Sequence, residues 1–133
     1  MAKLFTLEII TPLGTFFKGE NIHVRAPGVE GDFGVLADHA PLMAGLRPGR
    51  LQVEDPDESF DFVMTGGFFE VHGNRAVVLA ENCFRKEDVD LERATNARNR
   101  ALQMLAEAKT PEEQEIARTN LAKALALIKF IET

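Results

Sequence analysis

The sequence predicts a β-sandwich of about ten antiparallel strands followed by an antiparallel two-helix hairpin. Three observations carry that expectation. From Lys3 to about Arg85 apolar residues recur with a period of two; turn residues interrupt them at short intervals; after Lys86 both features give way to an Ala- and Leu-rich stretch with helical spacing. The change divides the chain into residues 1–87, a sandwich, and residues 88–133, a helical hairpin.

In the first strand Phe5, Leu7 and Ile9 alternate with Thr6 and Glu8, which makes one face apolar. Pro12-Leu13-Gly14, Gly19-Glu20-Asn21 and Pro27-Gly28 are the turn signals that follow. The stretch from Gly31 to Gly49 crowds four glycines and two prolines among Phe33, Val35, Leu36, Leu42, Met43 and Leu46, a composition for short strands and tight turns held against a core. Within it Ala37-Asp38-His39-Ala40-Pro41 reads as a projecting ordered loop, since a residue before proline is kept out of helical geometry. Pro48-Gly49, Asp55-Pro56-Asp57 and Gly73-Asn74 punctuate the rest. Phe60, Phe62 and Met64 alternate with Asp61 and Val63, and Ala76 to Ala80 is a continuous apolar run. Gly66-Gly67 carries no phosphate-loop signature and marks a strand bend or a close backbone approach.

Asp88 to Lys109 contains neither Gly nor Pro, and Leu91, Ala94, Ala101, Leu105 and Ala108 fall on one helical face. Asp90 suits an N-cap or first-turn acid. A second helix restarts at Thr110-Pro111-Glu112-Glu113, with Thr110 as N-cap, Pro111 at the first helical position and Glu113 as the return arm of a capping box. Its stripe is Ala117, Leu121, Ala124, Leu125 and Ile128. So short a link folds the two helices back on each other. An Ala-rich pair buries little area, so its apolar face must rest on the sandwich or on a partner.

The net charge of -6 speaks against a general nucleic-acid binder. Residues 1–87 hold 13 acidic and 8 basic side chains, and residues 88–133 hold 8 and 7, so the acidity lies in the strands. No apolar run approaches the roughly 20 residues needed to span a bilayer. The opening Met-Ala-Lys-Leu-Phe-Thr-Leu-Glu lacks a secretory pattern, and a cytoplasmic location is expected. Cys83 stands alone, which excludes an internal disulfide and suits a small buried residue at a strand end. His23, His39 and His72 lack metal-ligand spacing, and Ser59 lacks a nucleophile elbow. Neither a metal, a cofactor nor an enzymatic function is expected.

Several segments, in order, resemble one family. Asp32-Phe33-Gly34-Val35-Leu36, His39-Ala40-Pro41-Leu42, Leu46-Arg47-Pro48-Gly49, Thr65-Gly66-Gly67-Phe68 and Val89-Asp90-Leu91-Glu92-Arg93-Ala94 look like the epsilon subunit of the rotary proton-translocating ATP synthase of bacterial type. The likeness runs from Thr11-Pro12 to Leu121-Ala122-Lys123-Ala124. It implies a non-catalytic central-stalk subunit whose sandwich binds the gamma subunit and the c-ring. Its helices would reach the alpha/beta catalytic head and restrain ATP hydrolysis, and the chain would sit peripherally on the cytoplasmic face of the energy-transducing inner membrane.

The resemblance also places Asp32 and His39 at the end of the sandwich that meets the c-ring. From the residues alone they could act together as a carboxylate and an imidazole, but Asp32 reads rather as a solvated turn residue and His39 as a hydrogen-bonded turn anchor. Arg93, Arg98, Arg100 and Lys123 would be the regulatory cations, while solvated faces with i to i+4 pairs account for them as well. The alternative function is a small-ligand module sensing ATP. Val89-Asp90-Leu91-Glu92-Arg93-Ala94 is similar to the segment that opens the first helix in ATP-binding members, which makes Asp90, Arg93 and Arg100 a partial nucleotide motif. Two departures weaken it: Phe84 stands where those members have a carboxylate, and Leu127 where they have an arginine.

Overall fold

A computed structural model describes residues 2–133. Ten strands are present: β1 Phe5–Thr11, β2 Gly14–Asn21, β3 His23–Gly28, β4 Gly31–Leu36, β5 Leu42–Leu46, β6 Gly49–Glu54, β7 Ser59–Met64, β8 Gly67–His72, β9 Arg75–Ala80 and β10 Cys83–Arg85. They join in the order β10-β7-β6-β3-β5-β8-β9-β1-β2, with β4 paired to β3. Pairing is antiparallel except between β1 and β9, which run parallel, as strands without a tight hairpin between them are free to do.

Alternation puts Phe5, Leu7, Ile9, Val24, Val35, Leu51, Val53, Phe62, Met64, Phe69 and Val78 into one core. The joint between its two halves is narrow. β3 and β5 share a single residue pair, Gly28 with Leu46, reinforced by Val29 N–H to Gly45 O and Arg47 N–H to Pro27 O, both 2.9 Å. On the far side a β-bulge at Phe16 leaves that residue unpaired while Ile9 faces Phe17 and Ile10 faces Thr15. Two successive phenylalanines thereby reach the core: Phe16 meets Phe62 edge-on at 5.1 Å, and Phe17 meets Phe60 at 5.1 Å.

Local chemistry explains the turns. Gly73 and Asn74 both take positive φ, 58° and 60°, as the two-residue hairpin between β8 and β9 requires. Gly67, at φ 154°, lies so close to β9 that an added Cβ would sit 2.0 Å from the Leu79 carbonyl oxygen, the close approach expected at Gly66-Gly67. Two turn signals are displaced. Gly19-Glu20-Asn21 continues β2, because Asn21 is buried and its amide donates to Gly19 O at 2.9 Å, and the chain turns at Ile22 instead. Pro27-Gly28 ends β3, with the turn at Val29-Glu30.

A 3-10 turn, Lys86–Asp88, leads into α1 Leu91–Glu107 and α2 Pro111–Glu132. Asp90 caps α1 by accepting from Arg93 N–H at 3.1 Å, and Thr110 caps α2 by accepting from Glu113 N–H at 3.1 Å. Glu113 reaches back to Lys109 N–H at 2.8 Å, one residue before the cap. Buried Ala94, Ala101, Ala117 and Ala124 let the helices approach closely. Leu91 and Leu125, expected in the apolar stripes, remain about half exposed, and Phe130 is buried instead. The reason is where α2 rests: it covers the outer face of β6 and β7, so Val63 is buried on that face as Phe62 and Met64 are on the other.

Cys83 is buried, and burial pushes its thiol up to about 12. Against an ordinary value of 9.0 the native thiolate population at pH 8 falls by about a thousandfold. Iodoacetamide should therefore label the native chain at pH 8 about a thousandfold more slowly than the urea-unfolded chain; comparable rates would show that Cys83 is not buried in solution. The thiol favours the native state fully below about pH 9 and loses that contribution as pH rises toward 12.

Candidate binding surfaces

Asp32 lies on β4, opposite Pro27, rather than in a turn. Arg47 from the β5–β6 link donates to it at 2.6 Å, and Arg25 of β3 stands at 3.5 Å. The hydrogen bond from Arg47 holds the Asp32 carboxyl below its ordinary value, against a smaller opposing effect of burial. His39 is half-buried, its Nδ1 2.7 Å from Ala40 O, so the ring donates there as a turn anchor. Asp32 and His39 do not bond to each other. They line one open hollow of about 600 Å³, shared with Val29, Leu42 and Met43.

The hairpin carries a second set. Asp90 and Arg93 border a depression of about 290 Å³ walled by Phe84, Ala94, Ala97 and Leu127. Arg100 and Lys123 border an adjoining one of about 230 Å³, with Ala97 and Leu127 common to both. The structure thus brings Asp90, Arg93, Arg100 and Lys123 to one side of the helix pair. Arg98 lines neither depression and instead donates to Asn99 Oδ1 at 3.2 and 3.3 Å. Asp90 is engaged as a helix cap, and Lys123 donates to both Glu81 carboxylate oxygens at 2.7 and 2.9 Å. Sequence spacing had no means of pairing Lys123 with Glu81, 42 positions away.

A third surface escaped the sequence reading. On the outer face of β5, β8 and β9, register places Gly45, Phe68 and Leu79 in one row and Met43, Glu70 and Val77 in the next. Phe68 is 63% exposed, Met43 78% and Leu79 51%. Alternation alone does not reveal this face, because an exposed apolar side chain looks like a core one in the sequence. Among the described residues no group of three His, Cys, Asp or Glu side chains is arranged to hold a metal, and no helix is long and apolar enough to cross a membrane.

Comparison with known proteins matches residues 4–86 to the delta/epsilon chain β-sandwich domain of ATP synthase and residues 87–132 to the delta/epsilon chain long α-helix domain. The chain belongs to the ATP synthase epsilon chain family. The ATP synthase epsilon chain of Desulforamulus reducens is 39% identical over 132 residues, 99% of this chain and 100% of that one. That of Chlorobaculum tepidum is 51% identical over 80 residues, 59% of this chain and 91% of that one. A chain of the Euglena gracilis mitochondrial ATP synthase shares the fold at a TM-score of 0.81 and 21% identity, covering 96% of this chain and 81% of its own. A chain of the Tetrahymena thermophila mitochondrial ATP synthase central stalk and c-ring does so at 0.70 and 18%, covering 98% and 99%. As an epsilon chain the protein is a non-catalytic subunit of ATP synthase.

Around the hairpin depressions of this epsilon chain apolar groups stand beside the cations. Phe84 and Leu127 make apolar walls, and the Lys123 ammonium is already paired. A bound phosphate needs charge-assisted donors to replace its water, each worth about 1.5–3 kcal/mol. Leu127→Arg should therefore tighten ATP binding at least about tenfold by isothermal titration, from weak or undetectable in the parent chain. Micromolar affinity in the unsubstituted chain would overturn this reading.

Proposed function

We propose that the chain is a central-stalk rotor subunit that couples the c-ring to the gamma subunit and restrains ATP hydrolysis through its C-terminal helices. The observation that carries the reading is the exposed apolar face of β5, β8 and β9. Phe68 and Leu79 stand opposite each other there with Met43 alongside, a contiguous patch that a subunit interface would cover. Residues 1–87 would form the part that binds gamma on this face and the c-ring at the hollow bearing Asp32 and His39. Residues 88–133 would form the regulatory part. The solved relatives named for a c-ring and a central stalk support such partners. The chain would then be held peripherally at the cytoplasmic face of the inner membrane by its complex.

Regulation by the helices draws support from their unspent surface. In the docked hairpin Leu91, Leu102, Met104, Ile116 and Leu125 remain exposed. Arg93 and Arg100 make no ion pair among the described residues, whereas Lys123 must leave Glu81 before it can engage the alpha/beta head.

Two measurements check these assignments. Phe68→Glu places a charge in the centre of the apolar face and should weaken binding to gamma at least about tenfold while leaving the circular dichroism unchanged, since burial of one such ring contributes about 1.5–3 kcal/mol. Unchanged affinity would remove this face as the interface. Deleting residues 88–133 should raise ATP hydrolysis by the assembled complex and leave synthesis in place; an unchanged hydrolysis rate would deny the helices a braking role.

A further inference from the structure

Where the end of α2 meets the sheet, a cleft of about 380 Å³ opens between the helix and the outer face of β3, β4 and β6. It is separate from the hairpin depressions and from the hollow at His39, although Asp32 borders both the hollow and the cleft. Arg25, Arg47 and Arg50 line the sheet side, and Lys129 projects from the helix side, with Gln52 between them and Phe130 as an apolar wall. The carboxylates at these arginines are Asp32, facing Arg47 and Arg25, and Asp61, facing Arg50. Four cations therefore meet the Asp32 and Asp61 carboxylates and the carboxyl group of Thr133, which also borders the cleft, in a chain whose net charge is -6.

The hydrogen-bond donors are also incompletely used. Arg47 is committed, with Nη1 donating to Gly28 O and Nη2 to Asp32, both at 2.6 Å. Arg50 uses Nε and Nη2 on Asp61, at 3.0 and 2.9 Å, and keeps Nη1. Arg25 meets Asp32 only loosely, through Nη2 at 3.5 Å. Lys129 makes no ion pair among the described residues. Docking α2 thus brings the Lys129 ammonium to a cleft that Arg25 and Arg50 also line with donors to spare, so an anion entering there would find cationic donors on both walls. Phosphate-class oxyanions match it, because a guanidinium fork and a mobile ammonium can grip different oxygens of one group.

We propose that this cleft binds a small phosphate-class oxyanion, held between Arg25 and Arg50 of the sheet and Lys129 of α2, and that the bound anion fastens the hairpin to the sheet. The inference rests on the charge and free donors of the seam, not on the identity of the rotor partners. An anion that binds only when both walls are present favours the docked hairpin by linkage.

Isothermal titration of the full chain with sodium pyrophosphate, at ionic strength held constant with chloride, tests it. One site is expected, with Arg25→Gln and Lys129→Gln each weakening binding about tenfold or more and Lys109→Gln, at the exposed interhelix link, leaving it unchanged. Hydrogen exchange supplies a second readout: pyrophosphate should slow exchange of the α2 amides in the parent chain and in Lys109→Gln, and not in Lys129→Gln. Circular dichroism confirms that each variant is folded. Sedimentation with phosphatidylglycerol and with phosphatidylcholine vesicles separates the two sources of such an anion. Loss of phosphatidylglycerol binding in the same two variants, without pyrophosphate binding, assigns the cleft to a lipid headgroup phosphate. No binding in either arm, or equal weakening by Lys109→Gln, overturns the proposal.

Discussion

The architecture depends on how the sheet closes. β2 and β10 lie at opposite ends of the strand order, and a sheet left open there would expose its core and two pairing edges. The Phe16 bulge brings two adjacent rings of β2 across to Phe60 and Phe62 of β7. Arg85 of β10 then lies over Phe16 at 4.8 Å and near Phe62 at 5.7 Å, capping the cluster with a cation. Since β10 runs directly into the 3-10 turn and α1, the closing cluster also fixes the point from which the hairpin departs.

From that departure point the hairpin folds onto the sheet through a thin contact. Small alanines hold α1 to α2, while α2 touches the sheet mainly along β6 and β7. Polar contacts flank this apolar strip: Lys123 with Glu81, and Lys86 with the Thr133 carbonyl. Both are exposed or partly so, and pairs of that kind contribute about 0–1 kcal/mol each. A helical element so lightly attached belongs to the low-stability end of a fold. Of these contacts the Lys123–Glu81 pair ties the middle of α2 to the link between β9 and β10.

Charge is distributed to the same effect. The sheet is acidic as a whole, yet three of its arginines gather on the outer face of β3 and β6 and beside it, where Asp32 and Asp61 only partly offset them. The apolar face of β5, β8 and β9 stands apart from that region, with Glu70 beside Met43 and Val77. One sheet thus carries distinct outer surfaces, one exposed and apolar, one charged and helix-covered, and one hollow at the loop containing His39.

By itself the sequence determined the elements and the family. Period-two alternation, glycine and proline punctuation and the Thr110-Pro111-Glu112-Glu113 signal are local, because strand pleat, turn geometry and helix caps involve residues within a few positions of each other. The same locality made Asp90 legible as a cap and Gly66-Gly67 as a close approach. Only the tertiary structure decided what depends on distant partners. The parallel β1–β9 pair, the burial of Val63 and Phe130 under and on α2, and the hold of Arg47 on Asp32 and of Glu81 on Lys123 all join residues whose spacing in the chain carries no trace of it. Side-chain type announces that Phe68 or Arg25 wants a neighbour; which neighbour it has, or lacks, follows from how the sheet curls and where α2 comes to rest.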